Sequence, residues 1–338
     1  MKNILVLGGG GFIGGHLVKR LMRNGNWVRS VDIKPHQYGA NPNEFIVGDL
    51  SDLSFCRSVI YKNTNTEFDE IYQLAADMGG AGYIFTGEND ADVMSNSSSI
   101  NLNVLKSLKS RNLETGKNRS KIFYSSSACI YPEEKQTQIE NPGLKETDAY
   151  PANPDSEYGW EKLFSERLYM SYARNYGIPV RIARFHNIYG PEGTWQGGRE
   201  KAPAAICRKV AMADTNGTVQ IWGDGLQTRS FLFIEDCLDA VGSLMNSKFD
   251  KPINIGSEEM ISINKMVEIA SSFEGKKLKI EHVNGPQGVR GRNSNNRLIE
   301  QVLNHSYHYD LEQGLKETYF WILKQLTLQK NINISSEI

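Results

Sequence analysis

Tyr158 and Lys162 stand four residues apart in "EYGWEK", a spacing that puts both side chains on one face of a helix. A tyrosine hydroxyl titrates at about 10 in water, too high for a base at neutral pH. An ammonium beside it favours the phenolate, and each pH unit of downward shift corresponds to about 1.4 kcal/mol. Such a pair can remove the proton of a hydroxyl while a hydride leaves the same carbon. Upstream, "SSSACIYP" (125–132) follows the strand-like run "KIFYSS". Ser127 in it can hydrogen-bond the same substrate oxygen; a strand-end cap is its plain alternative. Cys129 stands two residues further on, a thiol where a strand gives way to a short polar run. Its purpose depends on what else converges there.

The hydride needs an acceptor. Gly8, Gly11 and Gly14 stand as G-x-x-G-x-x-G between the strand-like "NILVLG" and a helix pattern over Phe12–Asn24, which Phe12 and Ile13 open. Small residues there let the backbone turn tightly and approach a pyrophosphate, whose charge meets the N-terminus of the helix. Asp32 ends the second strand, 18 residues after Gly14. Its carboxylate can accept hydrogen bonds from both adenosine ribose hydroxyls and repels a 2′-phosphate, which favours NAD over NADP. Asp49, with Leu50 at the end of the third strand, can reach the adenine; a helix N-cap is the alternative for Asp49.

The elements that must hold these groups alternate. "WVRSVD", "EFIVGD", "EIYQLA", "KIFYSS" and "VRIARF" are short apolar runs. Helix patterns over about Asp52–Tyr61 and Glu157–Tyr176 fall among them. Continuous apolar strands separated by helices predict an α/β fold, a doubly wound parallel sheet of Rossmann type covered on both faces. After Phe185 the rhythm breaks. A helix pattern over Pro203–Ala213, then "TVQIWGDG" and "RSFLFIED", read as a smaller mixed lobe. The expected division is 1–185 with 227–256 for the cofactor and 186–226 with 257–325 for the substrate, leaving 326–338 as a frayed tail. The stretch "RNLETGKNRS" (111–120) reads as a surface loop.

The chain has 338 residues, enough for a large core, and a net charge of −1, so no global field favours nucleic acid or membrane. Strand-like "NILVLG" begins at once after Met1-Lys2, so no signal peptide is expected, and no apolar run is long enough to span a bilayer. The four cysteines form no CxxC pair and no zinc spacing, so no metal is expected. Reduced thiols in the cytoplasm fit, with Cys56, Cys207 and Cys237 as small buried residues.

Taken together, these residues resemble the extended short-chain dehydrogenase/reductase family over about residues 1–325. Further blocks carry the likeness: "LAADMGGAGYI" (74–84), "SSSACIYPE" (125–133), "YGWEKL" (158–163), "RFHNIYGPEGTWQGGREKAPAA" (184–205), "WGDGLQTRSFLFI" (222–234) and "GVRGRNSNN" (288–296). Within the family they are similar to the members that epimerise GDP-mannose at C3 and C5. That implies tightly held, recycled NAD, GDP-L-galactose and GDP-L-gulose as products, and a homodimer. It also gives Cys129 a task. Oxidising C4 to a ketone makes the hydrogens on C3 and C5 acidic, and inversion needs one group on each side of the ring. A thiol titrates at about 8.5, near working pH. Lys201, in "GREKAP", is the second group by resemblance, with crowding by Arg199 and desolvation expected to lower its pKa.

The same resemblance implies that Gly79, with Gly80 and Gly82, lets backbone approach the hexose, alongside Ala128 and Ala202. Asn187 and Glu200 are implied at sugar or phosphate edges. Lys209, Arg229 and Arg292 are implied at the diphosphate, and Gln227 with Thr228 at the nucleotide. His186 reads as a hydrogen-bonded core histidine, and Trp195, Trp222 and Tyr189 as lobe core. The chain departs from the family pattern at Leu7, where many members carry Thr, and over 85–107. Two other readings share the motifs. A nucleotide-sugar C4 epimerase or 4,6-dehydratase does not need Cys129 or Lys201. A non-enzymatic NAD sensor predicts a broken Tyr158/Lys162 pair, and both residues are present.

Overall fold

This computed structural model describes residues 1–61, 67–116, 120–286 and 288–336. The chain runs β1 (Asn3–Leu7), α1 (Phe12–Arg23), β2 (Trp27–Asp32), β3 (Glu44–Val47), α2 (Leu53–Ile60), β4 (Glu70–Gln73), α3 (Ala81–Ile84), α4 (Asp90–Thr115), β5 (Lys121–Ser127), α5 (Glu157–Tyr176) and β6 (Val180–Phe185). It continues through β7 (Ile188–Tyr189), α6 (Ala202–Met212), β8 (Thr218–Trp222), β9 (Thr228–Ser230), β10 (Leu232–Phe233), α7 (Ile234–Asn246), β11 (Pro252–Ile255), β12 (Met260–Ser262), α8 (Ile263–Ser272), β13 (Lys279–Val283), β14 (Gly291–Arg292), α9 (Arg297–Leu303) and α10 (Leu311–Ser336).

Seven strands form one parallel sheet in the order β11-β6-β5-β4-β1-β2-β3. Strand alternation explains why helices cover both faces. Along β1, Ile4 and Val6 point into a core shared with α7, α8 and α10, while Leu5 and Leu7 point into a second core with α2, α4 and α5. Burying each such side chain contributes about 1.5–3 kcal/mol. The chain order reverses direction beside β1, so the strand ends of β1, β2 and β4 frame a crevice, with Leu7 in register with both Val31 and Gln73.

The later strands form small sheets. β9, expected at the start of the second cofactor-binding piece, pairs instead with β12 and β14, and β8 pairs with β13. Two further expectations are corrected. The presumed loop 111–120 is helical as far as Thr115, because α4 extends 26 residues and packs its buried Val104, Leu105 and Leu108 into the core; residues 117–119 lie outside the described residues. The presumed tail belongs to α10, which runs to Ser336, while 337–338 lie outside the described residues. Among the described residues no helix is long and apolar enough to cross a membrane.

Candidate active site

The crevice opens into a cavity of about 870 Å³, within the range of small-molecule sites. At one end the glycine turn lines it through Gly8, Gly11 and Gly14, with Phe12 and Ile13. Gly8 has a φ of +88°, and a Cβ there would lie 2.6 Å from the Ala75 nitrogen, so only glycine lets β1 turn beside β4. A Cβ on Gly14 would lie 2.1 Å from the Gly8 carbonyl oxygen, so α1 packs backbone to backbone on the turn. Asp32 lines the cavity and accepts from the Gly10 N–H (2.9 Å) and the Lys34 N–H (3.2 Å). A carboxylate accepts about four hydrogen bonds, so capacity for two ribose hydroxyls remains. Burial pushes its pKa up, against those N–H donors.

Gly10 is a contributor the motif did not single out; it lies in the visible run of four glycines. Asp49 and Leu50 line the same end. Asp49 accepts from the Ser51 N–H (2.8 Å), while the N-cap of α2 is Asp52, which removes the capping alternative for Asp49. The open glycine turn and the inward-facing Asp32 fit the diphosphate and ribose of NAD.

Tyr158 and Lys162 lie on the first turns of α5. Ser156 caps that helix by accepting from the Gly159 N–H (3.2 Å), Glu157 sits in the first turn, and Gly177 ends it in the left-handed conformation. A Cβ on Gly159 would lie 2.2 Å from the Cys129 carbonyl oxygen, so this glycine lets α5 touch the turn after β5. That turn, Ala128–Ile130, is set by Ser127, whose hydroxyl accepts from the Cys129 N–H (3.2 Å). Ser127, Tyr158, Lys162, Gly79 and Lys201 all line the cavity.

The expected activation of Tyr158 differs here. Its pKa is pushed up by burial, and the Cys129 thiol adds to this; a hydrogen bond with Ser127 pulls the other way. The Lys162 amine lies 5.6 Å from the Tyr158 ring centre and donates instead to the Ser125 carbonyl (3.1 Å). Burial also lowers the Lys162 pKa. A low-lying phenolate therefore requires positive charge close to the hydroxyl.

Cys129 is buried, and burial raises its thiol above the ordinary value despite the guanidinium of Arg292, correcting the expectation of an unperturbed thiol. Arg292 Nη1 lies 3.2 Å from the Cys129 sulfur, and the same fork bonds Gln136 Oε1 and Asp155 Oδ2. Cys129 does not line the cavity. Its neighbours Tyr158 and Lys201 do, and Asp155 borders a second cavity of about 250 Å³ beside Phe85 and Val289. Lys201 is the N-cap of α6, and burial lowers its amine. Crowding by Arg199 is not the cause: that guanidinium lies 3.8 Å from the Tyr83 ring centre and 3.9 Å from Asp77.

The remaining residues lie apart from the large cavity. Gly80 packs under the chain, where a Cβ would meet the Glu200 carbonyl oxygen at 2.4 Å, so its smallness serves packing rather than hexose approach. Gly82 faces Trp222 and Gly198 at ordinary contact distance. Glu200 pairs with Arg208 (2.8 Å) and accepts from the Gly198 N–H, and Ala202 follows at the start of α6. Lys209 donates to the Gln220 carbonyl and Asn187 to the Ser230 carbonyl. Thr228 donates to the Ile139 carbonyl, and Gln227 donates to the Trp222 carbonyl. Gln227 Oε1 is buried with no partner among the described residues. Arg229 donates to the Thr228 and Val289 carbonyls and is in register with Arg292; burial, then Arg292, lowers its pKa to about 9.

Ala128 is buried in the turn, and Leu7 in the core. His186 is fully buried, bonded through Nε2 to Asn254 Oδ1 (3.0 Å), with its pKa lowered to about 3 by burial. Trp195 and Tyr189 are core residues, but Trp222 is 41% exposed and covers Gly285 instead. Cys56, Cys207 and Cys237 are buried and unpaired. Among the described residues no His, Cys, Asp and Glu cluster is arranged to hold a metal.

Residues 4–256 match the model of the NAD dependent epimerase/dehydratase family. The chain is 46% identical over 331 residues to GDP-mannose 3,5-epimerase of Arabidopsis thaliana, covering 97% of this chain and 84% of that protein. Among solved structures, Pal from Bacillus thuringiensis superposes with a TM-score of 0.79 at 30% identity, over 96% of this chain and 99% of Pal. UDP-glucuronic acid 4-epimerase from Bacillus cereus, solved with UDP-glucuronic acid and NAD, superposes with a TM-score of 0.77 at 25% identity, over 96% and 99% of the two chains. Fold, glycine cradle and sequence likeness thus converge across nearly the whole length: the chain belongs to the NAD dependent epimerase/dehydratase family.

Proposed function

We propose that this chain converts GDP-mannose to GDP-L-galactose, with GDP-L-gulose as a second product, by inverting C3 and C5 around a transient ketone at C4. The observation that carries it is the packing of the Cys129 thiol with Tyr158 in one buried cluster, beside a cavity that Tyr158 and Lys201 both line. The likeness to the Arabidopsis protein extends over 97% of the chain and supports the substrate.

The glycine cradle and Asp32 would hold NAD, which when bound would supply a reversible hydride acceptor for C4. Tyr158 removes the C4 hydroxyl proton, and Ser127 bonds the same oxygen. The positive charges of Lys162 and of the oxidised cofactor oppose the burial that otherwise keeps the phenol protonated. With C4 a ketone, each neighbouring carbanion is an enolate. Burial disfavours the charged form of both groups, lowering the Lys201 amine and raising the Cys129 thiol, the directions that a base at Lys201 and an acid at Cys129 need. The N-terminal end of α6 also disfavours an ammonium at Lys201.

Arg229 suits a diphosphate, because a planar fork binds two oxygens at once, and Lys209 adds a point charge; Arg292, implied there too, instead directs its fork to Asp155, Gln136 and the Cys129 sulfur. Gln227 Oε1, the buried acceptor, suits a base N–H such as guanine carries. Four unpaired buried thiols fit a cytoplasmic location. A homodimer through α4 and α5 is the implied assembly; Trp160 and Phe164 on α5 remain 40% and 48% exposed.

Incubation with GDP-mannose in heavy water tests this reading. Deuterium is expected at both C3 and C5 by NMR. Label at neither carbon, with turnover at C4, would establish a C4 epimerase instead. No exchange and no product would revive the sensor.

A further inference from the structure

We propose that Asp155 is a positioning residue for the thiol: it holds the Arg292 guanidinium against the Cys129 sulfur while offsetting its charge, so that the thiol rests as an acid. The inference rests on reading Cys129 as a proton carrier.

The cluster is built rather than incidental. Asp155 and Arg292 side chains are 3% and 5% exposed. Arg292 spends Nη2 on Asp155 Oδ2, Nε on Gln136 Oε1 and Nη1 on the sulfur at 3.2 Å. Gln136 is itself fixed through Nε2 to the Tyr131 and Pro132 carbonyls, at 3.0 and 3.2 Å. The other Asp155 oxygen accepts from Ser156, the residue that caps α5. One carboxylate therefore links the helix carrying Tyr158 to the guanidinium facing the thiol.

Such a link decides which way a buried thiol ionises. A bare guanidinium at this distance favours thiolate, and a carboxylate on its far side withdraws much of that field. The other charged or titrating groups around Cys129 are Tyr158 and Lys162 on α5, Lys201 at the start of α6 and Arg229 on β9. Three of them are cationic when protonated. Asp155 is the carboxylate that opposes them at the sulfur.

The test follows the Cβ chemical shift of isotopically labelled cysteine against pH in the NAD-loaded protein. Cys56, Cys207 and Cys237 are internal references, since burial holds all three thiols well above the ordinary range. Asp155→Asn keeps the shape and an acceptor oxygen but loses the charge. The Cys129 midpoint is expected to fall by about one pH unit, and Asp155→Glu to keep it near the native value. The pH profile of C3 and C5 exchange should move with it. An unchanged or raised midpoint in Asp155→Asn would overturn the proposal, as would a Glu variant that behaves like Asn. The underlying reading fails separately, if Cys129→Ala continues to wash deuterium into the sugar.

Discussion

The two ends of the site are made of different material. At the cofactor end, Gly8 to Asp32 lie within one strand–helix–strand unit, and the binding surface is mostly backbone. Asp32 there is held by two neighbouring N–H groups. At the proposed sugar end, Ser127, Cys129, Asp155, Lys201, Arg229 and Arg292 come from five separate segments, and Asp155 pairs with buried Arg292. The first end can be specified by local chain geometry alone. The second exists only after the small sheets have packed against the large one, since Arg292 arrives on β14 through its pairing with β9.

That contrast can be broken most directly at the two proposed shuttle groups. Cys129→Ala and Lys201→Ala are each expected to cut C3 and C5 exchange by about 10³-fold while bound NAD is retained, as read from cofactor absorbance after gel filtration. Full exchange in either variant would remove the chemical distinction of the sugar end. The next effect lies at the other end. Asp32→Asn is expected to weaken NAD binding by about 10- to 100-fold in a fluorescence titration, because charge-assisted bonds to the ribose are lost. An unchanged affinity would mean that the glycine turn alone holds the dinucleotide.

The smallest effect concerns acid stability beneath the sugar end. His186 is neutral when folded, with a pKa of about 3 against an ordinary 6.5. The unfolded chain takes up this proton first as pH falls. Its contribution to stability is therefore complete above about pH 6.5 and is lost progressively toward pH 3, at no more than about 1.4 kcal/mol per pH unit. His186→Gln should flatten the dependence of melting temperature on pH over that window; an equally steep curve would assign acid unfolding to other groups.

Much of the cofactor end was legible because its signals are local. "NILVLG", the glycines and Asp32 name their own strand, turn and strand end, and α5 occupies Glu157–Tyr176 as its pattern predicts. α4 was not legible. Its Asn96, Ser97, Ser98, Ser99, Asn101 and Asn103 can compete with backbone bonds and blur a helix pattern. Tertiary contacts override them: buried Asn101 donates to Glu161 and Ser165 and accepts from Gln73 and Tyr169. Asp155 gave no signal either, since a carboxylate after Pro154 reads as an ordinary turn. Its role depends on Arg292, 137 residues away, which no local pattern announces.

The register that places Arg229 beside Arg292 has a consequence beyond recognition. Two buried guanidiniums stand on adjacent strands, and the charge of Arg292 is one of the causes that lower the Arg229 pKa. A dianionic guest relieves that mutual repulsion on arrival. The protein therefore reaches its firmest state only when loaded, and resistance to heat or proteolysis becomes a gauge of occupancy.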